Sequence, residues 1–196
     1  MRMDFAPLAG RFVRLEPLAP ALKEDVRAAV DCDPETWAIM PENPMGERFE
    51  AWWASVLGAP GGQRLTYAIR RRSDGRVVGV SSYLTAAASQ GGVEIGGTFL
   101  HPDARSGAVN PDSKLLMLGH AFACGALRVA FRVDARNKRS QAAVAKLGAV
   151  REGVMRQDRI TWTGYVRDTV VFSILAREWP EVRSRLERRL AAFTVA

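Results

Sequence analysis

The chain predicts a mixed α+β domain in which helices cover a single, mostly antiparallel central sheet. Three observations carry this. Strand-like and helix-like segments follow in the order β-α-α-β-β-β-α-β-α-β-β, which suits one layered core. The 196 residues, 47% hydrophobic and 25% charged, suffice for one ordinary soluble domain with a sizeable core. No internal repeat, low-complexity tract or linker divides them, so residues 1–196 read as one domain, with 178–196 as a C-terminal helix.

Residues 11–18 (RFVRLEPL) alternate apolar and charged side chains, the period of a half-buried strand. Residues 21–30 set Leu22, Val26 and Ala29 on one helical face, and residues 31–42, rich in Pro, Asp and Asn, read as loop with a helical turn. Phe49, Trp52, Trp53 and Val56 recur at helical spacing within residues 45–57. Trp37, Trp52 and Trp53 are read first as packing residues, with the lining of a substrate groove as the alternative. Residues 58–62 (GAPGG) break that helix. Ser73-Asp74-Gly75 marks a hairpin between strands 65–70 and 76–84, and residues 86–91 turn the chain into strand 93–100. A buried strand follows at 128–133, and Asn137 is placed to cap a helix that Gly148 stops. Strand 150–157, a turn at Thr163-Gly164, strand 165–175 and a charged helix over 178–193 complete the order.

Cys32 and Cys124 lack metal-ligand spacing, so free thiols are expected, with neither zinc nor a disulfide. No apolar run is long enough to span a bilayer and the start has no signal-peptide pattern, so a cytoplasmic location without membrane association is expected. The net charge of +7 suits an anionic cofactor, an acidic substrate or nucleic acid. Much of the excess is local, in Arg70-Arg71-Arg72 and in the C-terminal helix, where it reads as a turn and a solvated face.

Residues 92–110 (GVEIGGTFLHPDARSGAVN) organise the rest. Two glycines interrupt a strand, the mark of a bulge or of a close approach to the backbone. The strand runs into a small-residue loop, and Asn110 with Pro111 reads as the N-cap and first residue of the next helix. Free backbone N–H groups at such a turn, with Arg105 beside them, form a phosphate site.

These residues resemble the GCN5-related N-acetyltransferase superfamily, within it the ribosomal-protein alanine/serine acetyltransferase branch. The superfamily's cofactor loop, Gln/Arg-x-x-Gly-x-Gly/Ala, falls on Arg105, Ser106, Gly107, Ala108, Val109 and Asn110, with Ala108 at the usual first glycine. Asn137-Lys138-Arg139-Ser140 and Lys146-Leu147-Gly148-Ala149 resemble the branch's Asn-x-x-Ser and Leu-Gly-Ala segments, followed by Gly164 to Asp168 and Ser173 to Leu175 in register. The resemblance implies the acyl-CoA N-acyltransferase fold, with a splayed parallel pair of strands in its sheet. It also implies acetyl-CoA as co-substrate, no metal, and direct acetyl transfer to a primary amine, either a protein N-terminus or a small amine.

On that resemblance, N–H groups of Ser106 to Asn110 and the Arg105 side chain receive the pyrophosphate. Phe99 and Leu100 offer backbone groups to the pantetheine and thioester, and Asn137 contacts the cofactor arm. Glu94, on the bulged strand, is the candidate general base, with an outward-facing strand carboxylate as its plain alternative. Ser140 matches the branch's proposed acid and could equally serve as a helix-capping residue. The tyrosine acid of many members falls on Val144, and the branch's glutamate on Arg159. A non-catalytic acyl-CoA-binding module is the second reading, a basic nucleic-acid-binding protein the last. Strand 165–175 and the C-terminal helix are candidate homodimer surfaces.

Overall fold

The computed structural model describes residues 3–58, 63–84 and 88–194. The expected break at 58–62 and turn at 86–91 lie partly outside the described residues. Eight strands form one sheet: β1 (Leu8–Ala9), β2 (Val13–Pro17), β3 (Arg64–Arg71), β4 (Val77–Leu84), β5 (Gly92–Leu100), β6 (Arg128–Asp134), β7 (Val150–Ile160) and β8 (Val166–Leu175). Their spatial order is β1-β2-β3-β4-β5-β6-β8-β7. Every neighbouring pair is antiparallel except β5 and β6. The parallel pair needs a crossover, which helix α4 (Val109–Ala123) supplies. The two-residue strand β1 has no signal in the sequence pattern.

Helices α1 (Lys23–Val30), α2 (Pro34–Ala38) and α3 (Phe49–Leu57) cover one face of the sheet. There Val26, Val30, Trp37, Phe49, Trp52, Trp53 and Val56 pack with Ala68, Val80 and Phe99. Helices α4, α5 (Lys138–Leu147) and α6 (Trp179–Ala191) cover the other. Their Met117, Leu118, Ala121, Val144, Leu147, Val182 and Leu186 meet Val93, Ile95, Val129, Phe131, Phe172 and Ile174. The alternation of β3, β4 and β5 thus feeds two apolar layers, while β7 at the sheet edge stays largely exposed.

A bulge in β5 decides which way its side chains point. Val80 pairs with Phe99 but Ser82 with Gly96, so two steps on β4 oppose three on β5. Gly97 takes the extra step with φ at +57°, in the left-handed region that glycine enters freely. In a regular strand residues 94 and 99 would face opposite sides. The bulge restores them to one face, where the Phe99 ring stacks on Trp37 at 4.3 Å and Glu94 approaches Arg132 on β6. Thr98 is turned the other way, toward α4.

The parallel pair is short. Only Gly92, Val93 and Glu94 match Arg128, Val129 and Ala130, and beyond them β5 and β6 diverge. The splay implied by the family resemblance is therefore present, with Glu94 at its vertex.

One expectation is corrected. Helix α4 starts at Val109 with Ala108 as its N-cap, and Asn110 lies inside the helix. The Asp112 N–H already bonds to the Ala108 carbonyl at 2.9 Å, so helical bonding begins two residues before Asn110. Pro111, without an N–H, loses nothing in a first turn whose N–H groups have no helical partner.

Two buried polar side chains fix α4 on the sheet. Asp112 accepts from the backbone N–H groups of Phe12 and Val13 at 2.7 and 3.0 Å, tying the β1–β2 edge to the helix. Lys114 passes between α4 and the strands, its Nζ donating to Ser81 Oγ at 3.0 Å and Thr98 Oγ1 at 2.7 Å.

Candidate active site

The splay opens into a cavity of about 490 Å³ running from the N-terminus of α4 to the β7–β8 hairpin. Glu94, Phe99, Leu100, Arg105, Ser106, Gly107, Asn110, Asn137 and Ser140 all line it, so the sequence-predicted site residues are gathered in one place. Ala108 and Val109 are not on its wall: Val109 is buried under the loop and anchors it.

At one end the loop after β5 presents the start of α4. Ser106 holds φ at +64°, and the N–H groups of Val109 and Asn110 open the helix without helical partners. Arg105 stands beside them. Its Nε donates to the Leu100 carbonyl at 2.9 Å and its Nη1 meets Asp33 Oδ2 at 2.5 Å. Its Nη2 is buried with no partner among the described residues. A buried guanidinium N–H without an acceptor is costly unless an anion completes it. The site thus fits a phosphate: a helix N-terminus and an arginine border the same end of the cavity.

Between the ends, the free edge of β5 forms the cavity wall. The His101 N–H donates to the Val78 carbonyl at 2.8 Å, so by alternation Leu100 turns its own N–H and C=O away from β4, toward the cleft. Asn137 caps α5, its Oδ1 accepting from the Ser140 N–H at 2.9 Å, as its position before that helix predicts. Its amide NH₂ group remains a donor. Ser140 gives its backbone N–H to that cap and lines the cavity.

At the far end Glu94 faces Arg132, Nε to Oε2 at 3.4 Å. Burial pushes its carboxyl above the ordinary value, although Arg132, Arg159 and Arg167 work in the opposite direction. Arg167 is 3% exposed, and its Nε donates to Thr169 Oγ1 at 2.9 Å. Asp158 accepts from Thr169 and meets Arg159 at 3.4 Å. Across the cavity Glu42 holds Arg64 in a two-pronged pair at 2.7 and 2.9 Å and accepts from Trp52 Nε1 at 3.1 Å.

Helix α2 brackets the cavity from above. Asp33, its N-cap, binds Arg105; Thr36 accepts from Arg139 Nη2 at 3.0 Å; the Trp37 carbonyl accepts from Trp162 Nε1 at 2.8 Å. Burial works to raise the Asp33 carboxyl, but hydrogen bonds from Thr36 and Arg105 hold it below its usual value. Trp37, Trp52 and Trp53 are all packing residues, as expected, and the first two also line the cavity.

Sequence reasoning missed Lys114, Arg132 and Arg167. Lys114 had a signal: with Met117, Leu118 and Ala121 it completes the 3–4 spacing of the buried face of α4. Burial depresses its pKa to about 7. The histidines lie elsewhere. His101 pairs with Asp103 at 2.9 Å, and His120 with Asp4 at 2.7 Å, Cys124 lying 3.8 Å from its ring nitrogens. Cys32 and Cys124 are free thiols. Among the described residues no helix is long and apolar enough to cross a membrane.

An eight-stranded sheet splayed at one parallel pair, with a phosphate-suited helix N-terminus at the splay, defines an acyltransferase of the acyl-CoA-dependent type. Residues 13–150 match the acetyltransferase (GNAT) domain family, and the chain belongs to that family. An inferred acetyltransferase from T. thermophilus is similar to it at 39% identity, covering 97% of this chain and 100% of that one, with a TM-score of 0.87. A GCN5-related N-acetyltransferase from Brucella melitensis shares 26% identity over 96% of this chain and 87% of its own, with a TM-score of 0.89. The fold is also that of Mycobacterium smegmatis RimJ, solved with CoA-disulfide: 22% identity, 94% and 93% coverage, TM-score 0.78. No curated sequence matches the chain.

Proposed function

We propose that this protein is an N-acetyltransferase that moves the acetyl group of acetyl-CoA directly to a primary amine, on a protein N-terminus or a small molecule. The observation that carries the reading is the N-terminus of α4, which with Arg105 borders the cavity at the β5–β6 splay. It marks a place for one anionic group at the end of a cleft whose opposite end holds a carboxylate.

Arg105 and the N–H groups from Ser106 to Asn110 receive the pyrophosphate, and Asn137 contacts the arm that follows. The free edge of β5 at Leu100, whose N–H faces the cleft, pairs with the pantetheine, while Phe99, expected to share that role, turns its backbone groups to Val80. A backbone N–H of that edge directed at the thioester oxygen contributes a few kcal/mol to lowering the barrier. Acetyl-CoA, when bound, supplies an activated acetyl group and a thiolate leaving group. The acceptor arrives as the neutral amine. Glu94 takes the proton it sheds on attack and passes it to solvent, and its raised pKa makes it a better base than an ordinary carboxylate. Ser140 hands its hydroxyl proton to the departing sulfur and regains one from solvent. No acyl-enzyme is required, so one proton leaves the amine and one reaches the thiolate.

Calorimetric titration with acetyl-CoA, followed by thiol release over a panel of amines, tests this. Binding with release for at least one amine is expected. Binding without release for any acceptor would instead favour a non-catalytic acyl-CoA-binding module.

A further inference from the structure

Near Glu94 the cavity holds an arginine without an acid of its own. The acids nearby each have an arginine: Glu94 has Arg132 at 3.4 Å, Asp158 has Arg159 at 3.4 Å, and Asp134 has Arg136 at 2.8 Å. Arg167 has no carboxylate within ion-pair distance among the described residues. Its one protein hydrogen bond there is from Nε to Thr169, and its guanidinium lines the cavity. It is nevertheless only 3% exposed. Burial, and next to it Arg159, act to lower its pKa, while Asp134, Asp158 and Glu94, none within ion-pair distance, act to raise it.

The neighbour makes the arrangement stranger. Arg159 and Arg167 are direct cross-strand partners on β7 and β8, and like charges directly opposite one another destabilise a sheet. Both line the cavity beside Glu94. A buried, unpaired guanidinium with a second one alongside is an anion receptor awaiting its anion. The pyrophosphate site at Arg105 lies at the opposite end of the cleft, so this receptor belongs to the acceptor.

Resting on the acetyl-transfer reading above, we propose that the amine acceptor carries its own anionic group, a carboxylate or phosphate. Arg167 grips that group with Arg159 beside it, while Glu94 faces the amine. Glu94 alone then discriminates for the amine and the arginine pair for the anion, so the acceptor is a zwitterion or an anionic amine.

Matched acceptor pairs test this: phenylalanine against phenylalaninamide, and O-phosphoserine against serine. Wild-type protein is expected to acetylate the anionic member of at least one pair with kcat/KM about 10- to 100-fold higher. The first pair reads carboxylate and the second phosphate. Arg167→Gln is expected to raise KM for that member alone and so collapse the ratio. Arg159→Glu, on an exposed strand position where folding is not at stake, is expected to do the same. Neutral members equal or preferred in both pairs would overturn the proposal, as would a ratio that survives both variants. Thermal protection by phenylalanine and O-phosphoserine gives a readout without turnover. Equal protection of wild type and Arg167→Gln also overturns it. Failure of the acetyl-transfer reading looks different: no acetyl-CoA binding, or no thiol release with any amine.

Discussion

The two ends of the cavity meet charge by different means. At the α4 end the donors are backbone N–H groups and one arginine, held by local geometry and pinned by Asp112 and Lys114 beneath. At the hairpin end they are long side chains from three strands, β5, β6 and β8, with β7 opposite. The first kind of site is defined by a turn and tolerates little variation in what it binds. The second is defined by which side chains stand on a scaffold, so substitution there changes the ligand without disturbing the fold. Donor recognition should therefore be separable from acceptor recognition.

The largest effect should come from the hairpin end. Glu94→Gln is expected to lower kcat/KM by about 100-fold or more, in line with loss of general-base catalysis. Acetyl-CoA affinity should hardly move. Because the base works deprotonated, the wild-type rate falls as pH drops through the raised Glu94 pKa, and the variant should lose that acid limb. Should Glu94→Gln weaken acetyl-CoA binding as much as turnover, the two ends are not separable.

Arg105→Met is the mirror experiment. Loss of charge-assisted hydrogen bonds of about 1.5–3 kcal/mol predicts acetyl-CoA affinity reduced roughly 10- to 100-fold by calorimetry. Discrimination among acceptors should persist at saturating donor. A changed acceptor preference would count against the contrast.

The smaller effect concerns the joint beneath the α4 end. The folded pKa of Lys114, about 7, lies below its unfolded value, so the unfolded chain binds the extra proton. Stability from this group is then present above the unfolded pKa and lost as pH falls from there toward 7. Relative to Lys114→Met, wild-type stability should rise between pH 7.5 and 9.5 by at most about 1.4 kcal/mol per pH unit. Ser81 and Thr98 keep their mutual hydrogen bond of 2.8 Å, so the variant should fold. Parallel urea-unfolding curves at the two pH values would show that Lys114 is not charged differently in the two states.

Much of the scaffold was legible because local signals and the final structure agree. Period-2 alternation marks β2, Ser73-Asp74-Gly75 marks the β3–β4 hairpin, and Asn137 with Gly148 brackets α5. The donor end was legible for the same reason, since a turn and a helix start are contiguous in the chain. Asn110 misled because its propensity for caps competes with where the loop delivers the chain, and Ala108 serves there instead. Of the acceptor end, Glu94 was named from the sequence but its arginine neighbours Arg132 and Arg167 were not. Glu94, Arg132 and Arg167 meet only because β5, β6 and β8 lie side by side, and nothing in the polar face of β8 distinguishes a buried arginine from a solvated one. Lys114 lay within reach of helical spacing but reads as surface by composition.

The bracket formed by α2 carries a kinetic consequence. Arg105 commits one Nη to Asp33 and leaves the other without a partner among the described residues, while the same short helix brings Trp37 to the cavity wall. Filling the donor end locks Arg105, hence Asp33, hence the wall the amine meets. Substrates should therefore add in compulsory order, donor first, visible in initial-rate and dead-end inhibition patterns. Asp33→Ala, which releases the latch, is expected to shift those patterns toward random addition.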